Sequence, residues 1–164
     1  MYSLNSINQM TQAEFVAALG AIFEETPSIA ERVWNQRPFV SVEALWQAMI
    51  DVVKKDSTAT QIALIRAHPD LGSRAVMARA SVQEQAGAGL SQMSEGNYAR
   101  FQRLNDAYKQ KFGFPFIMAV KGHQMESILQ AFEDRLENDV ESERRRSLSE
   151  IFQIALFRLE ACID

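Results

Sequence analysis

Apolar residues recur at helical spacing along nearly the whole chain, and this periodicity leaves little room for a sheet. Phe15, Ala18, Leu19, Ile22 and Phe23 share one face of a helix expected over about 11–24. Thr26-Pro27 ends it, and Ser28 is placed to cap a short helix reaching Trp34. Ser41 caps a segment with Leu45, Met49, Val52 and Val53 along one side. A further helix fits 58–67 and stops near His68, because Pro69 biases the residue before it away from helical angles. Asp70-Leu71-Gly72-Ser73 reads as a turn, followed by a short helix to about Arg79. A long helix over 95–112 carries Tyr98, Phe101, Leu104, Asn105 and Tyr108 on one face and ends at Gly113. Helices over 124–137 and 142–161 follow, the last striped by Leu148, Ile151, Phe152, Ala155, Leu156 and Leu159. The one strand-like stretch, 114–120, has no partner of similar character, and a lone strand makes no sheet. It reads as a buried extended segment or a helix start. The expected fold class is all-α: a single compact domain over 1–164 with about seven to nine helices.

At 164 residues such a domain buries roughly 70% of its unfolded surface and needs no disulfide or metal staple. Seven Gly and four Pro are too few for a turn-dense sandwich or barrel. With 21 acidic and 17 basic residues the net charge is −4, which argues against nucleic acid as a partner. The single cysteine, Cys162, excludes an internal disulfide and any zinc site built on paired cysteines. No apolar run approaches the ~18–20 residues that cross a bilayer. Neither end carries a recognisable secretory, peroxisomal or prenylation signal, so the expected location is cytoplasmic.

Histidine is the side chain that titrates near neutral pH, and the chain has two, His68 and His123. His68 falls at a helix C-terminus, whose partial negative charge favours imidazolium. Its alternative role is a capping histidine at an ordinary turn. Glu84, in Ser81-Val82-Gln83-Glu84-Gln85, has the spacing of a capping box with Ser81. It is equally a carboxylate among amides beside Gly87-Ala88-Gly89, where the backbone can approach a ligand closely. Phe112-Gly113-Phe114-Pro115-Phe116-Ile117 suits either plain core or a rigid apolar wall whose backbone groups bind a polar planar ligand. Arg158 lies amid apolar residues of the last helix, as a carboxylate ligand or as a snorkelling surface arginine. Arg144-Arg145-Arg146, flanked by Glu141 and Glu143, reads as a solvated helix face. No metal-ligand motif links His68 with His123, and no metal site is expected.

In this order, the strings His68-Pro69-Asp70-Leu71-Gly72, Ser81-Val82-Gln83-Glu84-Gln85 with Ala88-Gly89-Leu90, and Lys111-Phe112-Gly113-Phe114-Pro115-Phe116-Ile117 are distinctive. With Phe23-Glu24, Pro27, Asn105 and Tyr108, they resemble the 2-oxo-4-hydroxy-4-carboxy-5-ureidoimidazoline (OHCU) decarboxylases of urate breakdown. The resemblance spans nearly the whole chain. It implies an all-helical, commonly dimeric enzyme that needs no cofactor. It also implies that His68 is the acid–base residue and that Glu84 assists it. Pro69, Ser81, Val82, Gln83 and Gln85 would line the substrate site, together with the backbone of Phe116, Ile117, Met118, Ala119 and Val120. Arg158 matches the family's arginine in the last helix, a ligand for a substrate carboxylate or carbonyl.

The implied chemistry suits this residue set. In the family's substrate the carbon that loses carbon dioxide bears a hydroxyl and adjoins a ring C=N. That imine receives the electron pair, so neither metal nor organic cofactor is required. Two other functions are compatible with the residues: a helical protein-interaction module docking through the Phe-rich segment, and a hydrolase of a neighbouring urate-pathway step using His68 and Glu84 to activate water.

Overall fold

The computed structural model describes residues 1–72 and 79–164. Among the described residues it has nine α-helices and no strand beyond one isolated bridge, so the fold is all-α. The short helix expected just before Arg79 lies largely outside the described residues. The chain forms two compact units, Met1–Ala67 with Phe152–Asp164, and His68–Ile151.

The first unit opens with α1 (Leu4–Gln9), capped by the Ser3 hydroxyl, which accepts the Ser6 N–H. Periodicity does not reveal this helix because it buries a single residue, Ile7. In α2 (Gln12–Leu19) the Thr11 side chain accepts the Glu14 N–H, and the Glu14 carboxylate accepts the Thr11 N–H in return. The helix stops short of the expected 24 and turns at Gly20, a weak helix former. Ile22 and Phe23 still reach the core, from a loop, and so mimic continued helical periodicity. In α3 (Ser28–Val33), Ser28 is not the cap. It is the first helical residue, and Pro27 precedes it with φ −65° and no side-chain cap bond. Ser41 does cap α4 (Val42–Lys55), accepting the Ala44 N–H, and Ser57 caps α5 (Thr58–Arg66). Helix α3 packs against α2 and α4. Phe15, Leu19, Val33, Leu45, Met49, Val53 and Ile65 form the fully buried centre. The ends of the chain meet: the Tyr2 N–H donates to the Cys162 carbonyl, and the Asp164 N–H donates to the Tyr2 carbonyl. Both indoles, half-buried, are used inside this unit, Trp34 on the Met10 carbonyl and Trp46 on the Phe152 carbonyl.

The second unit contains α6 (Arg79–Gly87), a 3-10 turn at Leu90–Gln92, α7 (Glu95–Phe112), α8 (Met125–Leu136) and α9 (Val140–Cys162) as far as Ile151. Helix α7 has the expected bounds: Ser94 caps it, and Gly113 follows in the left-handed conformation with φ +77°. The segment 114–120 forms neither helix nor strand and is buried at every residue. It packs in an aromatic core. Phe116 stacks on Phe132 with centroids 3.8 Å apart, and Tyr108 meets Phe116 edge-on at 5.4 Å.

Candidate active site

His68 is the first residue beyond the Ala67 cap of α5, and it is buried. Pro69 sends the chain out of the helix, and three side chains then fix the loop. The Asp70 carboxylate pairs with Lys109 Nζ at 2.7 Å. Asn105 Nδ2 donates to the Leu71 carbonyl at 2.8 Å. The Gly72 N–H donates to Gln85 Oε1 at 2.9 Å. The last bond ties the His68 loop to α6, the helix that carries Glu84. Ser81 and Glu84 both lie within α6, one turn apart, so the capping-box reading does not hold: an N-cap residue stands outside the helix. Along α6, Ser81 and Gln85 are buried, Glu84 is half-buried, and Val82 and Gln83 face solvent.

The second group of candidates, 116–120, is held from three helices. Tyr108 and Phe112 of α7 pack on Phe114, and Tyr108 also packs on Phe116. Arg135 of α8 donates through Nη1 to the Ile117 carbonyl at 2.5 Å. Glu150 of α9 accepts the Ala119 N–H at 3.4 Å. Helix α7 therefore serves both groups: Asn105 and Lys109 hold the His68 loop, while Tyr108 and Phe112 hold the buried wall. Their spacing of i, i+3, i+4 and i+7 places them on one helical stripe. Because 114–120 is buried throughout, it offers no docking surface, and that feature of the interaction-module reading falls away.

Behind the wall lies a charged cluster that local sequence does not reveal. Glu143 is fully buried and does not belong to the solvated arginine face. Its Oε1 accepts Arg135 Nε at 2.8 Å and the Tyr108 hydroxyl at 2.5 Å, and its Oε2 accepts Asn138 Nδ2 at 3.0 Å. Burial, with the Glu143 carboxylate at its hydroxyl, pushes the Tyr108 phenol well above its ordinary pKa. Arg144, Arg145 and Arg146 do behave as a surface face, pairing with Glu141 and Glu150.

Arg158 lies in the first unit and is 9% exposed, so it does not snorkel. Its Nη1 and Nη2 both donate to Glu24 Oε2 at 3.2 Å, and Nη1 also reaches the Ala21 and Ile22 carbonyls. Glu24, 3% exposed, is the partner that spacing alone could not supply. His123, by contrast, is exposed and meets Ser127 Oγ at 3.2 Å.

Fold and residues thus describe an all-helical protein with a buried imidazole and a half-buried carboxylate on two segments joined by a hydrogen bond. The chain belongs to the OHCU decarboxylase family, whose model matches residues 8–160. It is 45% identical over 158 residues to 2-oxo-4-hydroxy-4-carboxy-5-ureidoimidazoline decarboxylase of Halalkalicoccus jeotgali, covering 96% of this chain and 90% of that protein. It is 43% identical to the uric acid degradation bifunctional protein of Bacillus subtilis, covering 97% of this chain but 32% of that protein. Among solved structures, the crystal structure of (S)-allantoin synthase superposes with a TM-score of 0.83 at 27% identity, over 100% of this chain and 54% of the other.

Proposed function

We propose that this chain is a cofactor-free carboxy-lyase that converts OHCU to (S)-allantoin, with His68 as acid–base residue and Glu84 as its assistant. The observation that carries the reading is the Gly72–Gln85 bond, which fastens the buried His68 loop to the helix bearing Glu84. In the first step the C–C bond to the carboxylate breaks and carbon dioxide leaves. The bonding pair becomes a C=C bond to the ureido-bearing carbon, and the imine π pair moves onto nitrogen, which takes a proton. In the second step a proton adds to the ureido-bearing carbon from one face, while the hydroxyl loses its proton and becomes the ring carbonyl. His68 holds the hydroxyl–carboxylate region and relays the proton. Glu84 accepts N–H bonds from the ring or ureido group, and its two oxygens can take two at once. Ser81, Gln85 and the backbone of 116–120 line the site beside Pro69. The buried apolar wall at 114–120 keeps water from the reacting carboxylate, whose charge disperses in the transition state. Arg158, whose guanidinium is already fixed by Glu24, is assigned to the substrate's carboxylate or carbonyl. The homodimer implied by family membership and the cytoplasmic location expected from the sequence are part of the same reading, and light scattering of the purified protein tests the first.

OHCU carries its own electron sink and decays to racemic allantoin, so total product is a poor assay. Circular dichroism of allantoin formed during urate oxidation, with and without the protein, tests the reading: the protein should yield optically active product and faster carbon dioxide release. Racemic product at an unchanged rate would overturn it. His68→Asn should lose about 10²–10⁴-fold in turnover, the usual contribution of general acid–base catalysis, while keeping its helical spectrum.

A further inference from the structure

We infer that Arg135 is a positioning residue for the reaction, setting the peptide between Ile117 and Met118 as part of the substrate site. This rests on the site assignment proposed above. Arg135 is 5% exposed, and its guanidinium has three separate surroundings. Nε is anchored to Glu143 Oε1, which the Tyr108 hydroxyl holds in turn. Nη1 donates to the Ile117 carbonyl, and the guanidinium carbon lies 4.3 Å from the centre of the Phe116 ring. Nη2 is buried without a hydrogen-bond partner among the described residues.

First, 114–120 belongs to no sheet, so its peptide planes are not set by a ladder of neighbours. The Arg135 bond fixes one of them from a rigid, planar donor. Second, a cation on the Ile117 oxygen polarises that same peptide and makes the Met118 N–H a stronger donor, as in any chain of hydrogen bonds at low dielectric. An anionic substrate lying against this backbone would gain from it. Third, a buried ion pair is a poor way to stabilise a core, since apolar replacements of similar volume are often as good. Arg135 Nη2 is left without a partner among the described residues, so packing alone is a weak reason for the pair. A guanidinium that must reach both Glu143 and a backbone carbonyl accounts for the arrangement.

Ile117-Met118 is the only Ile-Met pair in the sequence, so labelling with 13C-carbonyl isoleucine and 15N-methionine gives one amide signal from this peptide. In the wild-type protein, that signal should move on titration with (S)-allantoin. Two variants follow: Arg135→Lys, which keeps the charge but lacks the fork, and Arg135→Met with Glu143→Gln, which removes both charges together. Assayed on freshly generated OHCU, well below their melting temperatures, both should show KM raised about tenfold, the loss of roughly one good hydrogen bond. Their kcat should stay within about twofold of wild type, because such a contact acts on substrate and transition state alike. A purely structural role would lower the melting temperature and leave the KM of the folded protein unchanged. Either a folded variant with wild-type KM or a Met118 amide indifferent to saturating (S)-allantoin overturns the inference, and the second measurement needs no variant to fold. Formation of (S)-allantoin by the wild type is read separately, so failure of the proposed activity is distinguishable from failure of this role for Arg135.

Discussion

Gly72 has φ +68°, in the left-handed region where a side chain is strained, and its N–H is the donor that joins the His68 loop to α6. A Cβ here would stand 2.6 Å from Met93 Cε and 3.3 Å from Phe101 Cγ. The methionine end can swing aside, but the Phe101 ring is fully buried. Gly72→Ala should therefore cost about 1–2 kcal/mol of stability, measured by urea unfolding. Activity should fall further than that loss explains, because the strain falls on the loop that carries His68. An alanine variant with wild-type stability would show that the turn relaxes freely. At this scale the sequence was legible where the surroundings are local: His68 does stand just beyond a helix end and before a proline. It was uninformative where a partner is remote. Glu143 looks solvated among its charged neighbours, yet its phenol partner is 35 positions away, and Arg158 meets Glu24 across 134.

Helices with a cap and an apolar stripe were legible, as α7 shows, with Ser94 before it and Gly113 behind it. Helix α6 was not, because the buried positions described within it are Ser81 and Gln85, a helical pair with no large apolar side chain. Polar residues that face inward to hold a loop leave no hydrophobic signal. The expected all-α class survived because it depended on many helices at once, and an early end to α2 or a missed α1 does not alter it. Between elements, the contact best suited to measurement joins α3 to the end of α4. Arg32 grips Asp56 with two bonds, at 2.7 and 2.9 Å. The hydrogen bonds from Arg32 hold the Asp56 carboxyl below its ordinary value. A lowered carboxylate pKa contributes stability above the unfolded value of about 4, and that stability is lost as pH falls through the lowered value. Arg32 is 43% exposed, so the contribution is screened. Asp56→Asn should cost about 0.2–1 kcal/mol at neutral pH. The gap from wild type should narrow as unfolding is measured below about pH 4. A gap of equal size at both ends of that range would mean that the asparagine acts through packing rather than charge.

Net charge is a property of the whole molecule, and −4 is the wrong sign for drawing in an anionic substrate from a distance. Within the second unit Lys109 is committed to Asp70 and Arg135 to Glu143, and within the first unit Arg158 is committed to Glu24. Capture of OHCU would then depend on short-range hydrogen bonds from anchored groups rather than on a positive field at the surface. Salt separates the two cases. The screening length falls from about 30 Å at 0.01 M to about 10 Å at 0.1 M, so long-range forces fade over that range while buried contacts are screened much less. If local groups do the work, KM for OHCU should stay level or fall slightly between those concentrations, since screening removes a mild repulsion from the negative surface, and kcat should not move. The measurement requires substrate made in place by urate oxidation at each salt concentration, with the spontaneous decay rate subtracted. A KM that climbs steeply with salt would instead identify an unrecognised basic funnel leading to the site, and the substrate would have to be placed along it.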